Sequence, residues 1–243
     1  MNDMATETIR LAAIGDLHVN ETSEPHYRAM FEEISQVADV LALCGDLTNF
    51  GKTGEAELLA EELRGCTIPM VGVLGNHDYE CGQPEKVAEI LHQAGVTMLD
   101  EQATVIDGVG FAGVKGFIGG FGRGELGAFG EDAIKTFVDE SRNEARKLEN
   151  QLRSLKTDRT VAVLHYAPIA ATVEGEPLEI FPFLGSSRLA NAVDRFENVK
   201  AVVHGHAHRG SFRGDTPGGV PVYNCAHFVV QAETNRPYAL IEI

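Results

Sequence analysis

The sequence has no tryptophan, 7% aromatic residues, four cysteines and no apolar run approaching the roughly 20 residues that a membrane span needs. The missing span removes a membrane partner from the expectations. The cysteines, Cys44, Cys66, Cys81 and Cys225, show no C-x-x-C spacing. Reduced thiols are therefore expected, with Cys81 alone close to a candidate site. The first residues, Met1 to Glu7, are polar and acidic, with neither a basic nor an apolar stretch of the kind that opens a secretory leader. These features together predict a cytoplasmic location. Positive charge is also scarce: 20 Lys and Arg stand against 36 Asp and Glu, a formal net charge of −16. A protein that tracks a phosphate backbone shows a basic stripe. No such cluster occurs here, so extended nucleic acid is not an expected partner. No linker, charge block or internal repeat divides the chain, and residues 1–243 read as one domain.

What the chain does have is apolar runs that end on metal-ligating side chains. Leu11 to Gly15 ends on Asp16-Leu17-His18, and Val40 to Gly45 ends on Asp46-Leu47-Thr48-Asn49. Met70 to Leu74 ends on Gly75-Asn76-His77-Asp78, Val161 to Leu164 on His165, and Val199 to Val203 on His204-Gly205-His206-Ala207-His208. Continuous apolar runs read as buried parallel strands, and open α/β sheets place their sites at the C-terminal strand edge. Five runs delivering Asp, Asn or His at the same end point to a shared metal centre. Asp and His together suit borderline transition metals, and these ligands outnumber what a single tetrahedral ion with an open position can use.

Between the runs, periodicity predicts a helix from Pro25 to Ala38, one capped by Thr53 that carries Leu58, Leu59 and Leu63, and one from Pro84 to about Gly95. Ala103–Ile106 and Val109–Val114, split by Asp107-Gly108, read as a hairpin. Gly116 to Gly130 holds seven glycines in fifteen residues and reads as a mobile loop at the site's rim. A long helix follows from Glu131 to about Leu155, its apolar stripe running through Val138, Ser141, Leu148 and Leu152 and its opposite face solvated. Ser186 or Ser187 caps a further helix. Short strands are expected around Ser211–Arg213, Val220–Tyr223 and His227–Val230, with a last alternating strand over Tyr238 to Ile243. His26 and His92 read as surface residues and His204 as structural, while His227 is a candidate to hydrogen-bond a ligand.

Asp16-x-His18, Gly45-Asp46, Gly75-Asn76-His77-Asp78, the lone His165 and Gly205-His206-x-His208, in that order over residues 9 to 210, resemble the calcineurin-like metallophosphoesterases. The resemblance implies an α/β fold, a four-layer α/β/β/α sandwich of two mixed β-sheets flanked by helices. It implies two divalent or trivalent transition-metal ions, with Mn, Fe or Zn favoured. Asp16, His18 and His208 would hold one, Asn76, His165 and His206 the other, and Asp46 would bridge them. It also implies hydrolysis of phosphate esters by a hydroxide bridging the metals, with His77 protonating the leaving oxygen. Asp78 reads equally as the group that orients His77 and as an N-cap on the following turn. Asn49 and Arg123 are weaker candidates for substrate contact, and Phe117, Phe121 and Tyr79 for lining a pocket. A small phosphate ester, either a cyclic nucleotide or another small diester, is the favoured substrate. A phosphomonoesterase, a nuclease and a non-catalytic interaction module of the same fold are the alternatives. No feature of the sequence sets an oligomeric state.

Overall fold

The computed structural model describes residues 8–22, 27–100 and 102–243. Strands β1 (Arg10–Ile14), β2 (Val40–Cys44), β3 (Met70–Val73) and β4 (Val96–Met98) run parallel in that order, and β11 (Ala239–Glu242) pairs antiparallel with β1. In the second sheet β5 (Thr104–Ile106) pairs antiparallel with β6 (Val109–Val114). The parallel strands β7 (Arg159–Leu164) and β8 (Val199–His204) follow, then β10 (Pro221–Asn224), with β9 (Arg213–Asp215) antiparallel at the far edge. Helices α1 (Arg28–Val37), α2 (Thr53–Leu63) and α3 (Pro84–Gln93) follow the first three strands. Helices α4 (Asp132–Ser154), α5 (Ser187–Val193) and α6 (His227–Thr234) belong to the second half.

The strands are apolar throughout because both of their faces are covered. In β2, Leu41 and Leu43 pack under α1 to α3 with Phe31, Leu59 and Leu91, while Val40, Ala42 and Cys44 face the second sheet. There they meet Phe111, Val161 and Val163 in the layer between the sheets. The outer face of the second sheet, with Ala162, Leu164 and Val202, carries Leu148 and Leu152 of α4 and Leu189 and Val193 of α5. Two cores outside the sheets and one between them give the four layers predicted, and each strand residue alternates between two of them.

Several local expectations change. The first predicted helix is α1, Arg28–Val37; its expected start at Pro25, and His26, fall outside the described residues. Helix α2 starts at Thr53, but its start is secured by the Glu55 carboxylate, which accepts from the amides of Phe50 and Lys52. Residues 227–230 form the first turn of α6 rather than a strand: the Ala226 carbonyl accepts from the amides of Val229 and Val230. Burial of those two valines on a helix outweighs their β propensity. The polar face of α4 is not wholly solvated. Glu144 and Gln151 are buried; Gln151 bonds both backbone groups of Gly113 and the Leu99 carbonyl, and Glu144 accepts from the Gly116 amide. The glycine-rich segment is pinned along its length. Gly119 and Gly120 donate to Pro182 and Gly185, and Arg188 holds both Glu125 and the Leu126 carbonyl.

Candidate metal centre

The loops leaving β1 and β2 run side by side. Asp16 donates its amide to Gly45 (2.9 Å), His18 to Asp46 (3.0 Å), and Val19 to Leu47 (3.1 Å). This pairing sets Asp16 and His18 beside Asp46. It also places Asp16, His18 and Asp46, together with His206, at φ between +45 and +72°. That left-handed region is uncommon for side-chain-bearing residues and gathers at functional sites. Glycines stand where these loops touch. A Cβ on Gly45 would lie 2.6 Å from Nδ1 of His165, and one on Gly205 2.6 Å from Oδ2 of Asp16. The turn after β3 is locked onto Asp46, whose Oδ1 accepts from the His77 amide at 2.8 Å. The loop after β8 is locked onto Asp16, whose carboxylate accepts from the His206 amide at 3.0 Å.

Three groups of side chains emerge, each with potential ligand atoms within 4.8 Å of one another: Asp16, His18 and His208; His18, Asp46 and His77; Asp46, His165 and His206. His18 is common to the first two and Asp46 to the last two, so the three groups are contiguous. Asn76 joins the third group, its Oδ1 lying 2.9 Å from Nε2 of His165. The ring orientations suit ligation. Nδ1–H of His165 donates to the Cys44 carbonyl (3.0 Å), which frees Nε2. Nε2–H of His206 donates to the Phe183 carbonyl (3.1 Å), which frees Nδ1. His18 and His208 face each other Nε2 to Nε2 at 3.4 Å, with Oδ1 of Asp16 3.0 Å from the latter. His18 Nδ1 is buried without a partner. The facing Nε2 atoms of His18 and His208, with the Asp16 carboxylate beside them, are what a shared cation relieves, so the residues present fit a metal centre. No cysteine belongs to any of these groups.

The electrostatics follow from burial. Burial pushes the imidazole of His206 down to about 3 and that of His18 down to about 4, leaving both neutral at pH 7. Burial alone would raise the Asp16 carboxyl, but the His208 hydrogen bond and the nearby imidazoles prevail and take it to about 2. His208 is raised by the same bond. Asp46 is raised, by burial first, against the pull of His165.

Several sequence expectations change. Asp78 does not orient His77. Its carboxylate is buried and accepts from the amides of Leu47 (3.2 Å), Thr48 (2.7 Å) and Gly75 (2.7 Å) and from the Thr48 hydroxyl (2.6 Å). Burial and the charge of Asp46 raise it to about 6. It staples two site loops together. Nδ1 of His77 is held instead by the Asn49 carbonyl at 2.7 Å, so Asn49 enters through its backbone. Arg123 is exposed in the short turn Gly122–Gly124, and no contact joins it to the residues above. Phe117 packs on Phe137 and Tyr166, and Phe121 on the buried Ala207 region, so neither is an open wall. Of the three expected lining residues only Tyr79 is exposed, and Phe50, Phe183 and Phe228 join it. Phe50 and Tyr79 flank the His77 turn, the Phe183 carbonyl holds His206, and Phe228 lies against His227 and His208. Nothing in the sequence marked Phe50, Phe183 or Phe228, which are exposed only because the loops bring them to the rim. His227 does support a candidate ligand, through the Asp16 carbonyl at 2.8 Å. His204 bonds Gly205 and Thr172 and is structural, as predicted.

Residues 9–210 match the calcineurin-like phosphoesterase family along most of the chain. The chain belongs to that family. Its members are phosphoester hydrolases, and the His and Asp groups point to a dinuclear metal centre. Among solved structures, a phosphopantetheinyl hydrolase from Mycobacterium tuberculosis superposes with a TM-score of 0.67 at 16% identity, over 96% of this chain and 95% of that one. A protein from Thermus thermophilus gives 0.57 at 16% identity, over 98% and 99%. A dimetal phosphatase from Danio rerio gives 0.57 at 12% identity, over 89% and 86%. At these identities the likeness is one of fold. No curated protein matches the sequence. No helix among the described residues is long and apolar enough to cross a membrane.

Proposed function

We propose that the chain is a dinuclear-metal phosphodiesterase acting on small esters, with residues 1–243 working as one domain. The observation that carries this reading is the position of Asp46, whose carboxylate stands between two sets of imidazoles. In this reading Asp16, His18 and His208 hold one ion, Asn76, His165 and His206 the other, and Asp46 both. Two such ions, with Mn, Fe or Zn favoured by the mixed Asp, Asn and His donors, supply Lewis acidity toward the phosphoryl oxygens and lower the pKa of a water.

The chain's own groups do the rest. The Cys44 and Phe183 carbonyls fix the tautomers of His165 and His206. The Asn49 carbonyl takes Nδ1–H of His77, so the proton that His77 delivers to the leaving oxygen resides on Nε2. The same carbonyl stabilises the imidazolium. Phe50 and Tyr79 beside His77, and Phe183 and Phe228 beside His206 and His208, are each roughly half exposed. Apolar surface at separate margins of one centre suits an ester that carries organic groups on the phosphorus, which favours a diester. The net charge of −16 opposes a long polyanion.

The test is kcat/KM for a cyclic mononucleotide, a nitrophenyl diester, a nitrophenyl monoester and single-stranded DNA at one salt and metal. The small diesters should lead. A monoester preference would make the protein a phosphatase, and efficient DNA cleavage with slow small esters would make it a nuclease.

A further inference from the structure

Lys115 follows β6 and is buried, an unusual place for an ammonium group in a strongly acidic protein. Its Nζ lies 5.1 Å from the ring centre of Phe117, 5.2 Å from that of Tyr79 and 5.5 Å from that of Tyr166. It also donates to the Gly116 carbonyl at 2.9 Å. An ammonium held against three aromatic rings and kept from water attracts each of them. Two of those rings belong to loops of the metal centre. Tyr79 closes the same turn as His77, its amide bonded to the Asn76 carbonyl. Tyr166 follows His165, and its ring is 5.2 Å from that of His165 and 4.5 Å from that of His206.

The backbone of Lys115 acts on the same elements. Its carbonyl accepts from the amides of His165 (3.2 Å) and Tyr166 (3.0 Å), and its amide donates to Asp100 at 3.0 Å. Glu144 sits behind it, bonded to the Gly116 amide and to Lys147. Glu140 and Asp100 also face the ammonium. Burial pulls the Lys115 ammonium below its ordinary value with Lys147 beside it, and these carboxylates oppose that pull.

We propose that Lys115 is a positioning residue for phosphoester hydrolysis, an ammonium clamp that ties the His77–Tyr79 turn to the His165–Tyr166 strand end and so fixes the distance between the leaving-group acid and the metal site. The proposal rests on the assignment of His77 as that acid. Lys115 touches no reacting atom. It acts through Tyr79 and Tyr166, and a ring shared with a fixed cation cannot drift without losing that attraction.

The experiment uses the full metal-loaded chain in four forms: wild type, Lys115→Met, Lys115→Arg and His77→Ala. Amide hydrogen exchange is read at residues 77–80 and 165–167, and kcat on an alkyl diester and a nitrophenyl diester. Lys115→Met keeps the stem and removes the charge. It should speed exchange in both segments while exchange in β1 to β3 stays as in wild type. It should lower kcat between about 10- and 100-fold on the alkyl diester, where the acid must be placed, and much less on the nitrophenyl diester. Lys115→Arg, which keeps a cation among the rings, should restore part of both. Unchanged exchange in the two segments overturns the clamp. So do faster exchange with equal losses on both substrates when His77→Ala distinguishes them, and a Lys115→Arg variant as impaired as Lys115→Met. If His77→Ala itself loses equally on both substrates, the acid assignment fails, and the exchange data and the Lys115→Arg rescue alone decide the clamp.

Discussion

Nδ1 of His77 donates a 2.7 Å hydrogen bond to the carbonyl oxygen of Asn49, and that bond determines which ring nitrogen faces the centre. A carbonyl accepts only, so Nδ1 carries hydrogen and Nε2 is the nitrogen left to meet the leaving oxygen. Replacing His77 with Ala should therefore leave metal content and fold intact. The expected loss in kcat on alkyl esters is about 10²- to 10⁴-fold, the usual scale for a missing general acid. The loss should shrink with a nitrophenolate leaving group, which departs without a proton. Equal losses on both substrates would assign His77 to binding or electrostatics.

Asp78, by contrast, is bound into the loops by four donors. An Asn in its place presents an NH₂ group to at least one buried amide. The expected outcome of Asp78→Asn is a loss of about 2–3 kcal/mol in stability, read from the urea midpoint. The acidity of His77 in the pH–rate profile should not move. A fully stable variant with a shifted profile would return Asp78 to the role of orienting His77.

The metal-free protein should weaken in mild acid. His18, His204 and His206 sit near 4, 4 and 3 in the fold, each through burial, against an ordinary value of 6.5. An imidazole whose pKa is depressed takes up its proton on unfolding, so stability present above 6.5 is lost as pH falls toward 4. Asp78 works the other way. Its carboxyl is raised to about 6, so its contribution is present below 3.8 and lost as pH rises through 6. His227 is lowered with the three imidazoles, and Asp46 and Asp100 are raised with Asp78. The imidazoles take up most of their unfolded-state protons just below 6.5, so stability falls as pH drops from 6 to 5. Urea midpoints across that range after chelation test it; a flat curve would mean that the three rings are not held neutral.

Arg123 is exposed and makes no contact with the centre. Arg123→Ala should leave KM and kcat on the best small ester within about twofold, as surface changes remote from a site usually do. A several-fold rise in KM would show that its turn reaches the substrate.

The layers were legible because burial on both faces leaves an unbroken apolar run, as in Val40 to Cys44. The cluster was legible because the strand ends of both sheets converge, Asp16 and Asp46 from one and His165, His206 and His208 from the other. What could not be read was set by loop contacts that no periodicity records. Asn49 holds His77 through a backbone atom, which side-chain chemistry does not announce. Asp78 sits next to His77 in sequence, yet its carboxylate turns to three amides and a hydroxyl because they are buried donors in need of an acceptor. Val229 and Val230 look like strand residues until helix α6 buries them. No periodicity marks Lys115, whose place among three rings is set by the loops that carry them.

The central claim is a pair of ions sharing Asp46, and metal stoichiometry beside turnover tests it most directly. Purified protein reconstituted with Mn, Fe or Zn should hold two equivalents by elemental analysis and turn over a nitrophenyl diester. Asp46→Asn, folded by circular dichroism, should hold one equivalent or fewer and lose nearly all activity. Two equivalents retained in Asp46→Asn, or one equivalent in a fully active wild type, would contradict the shared dinuclear centre.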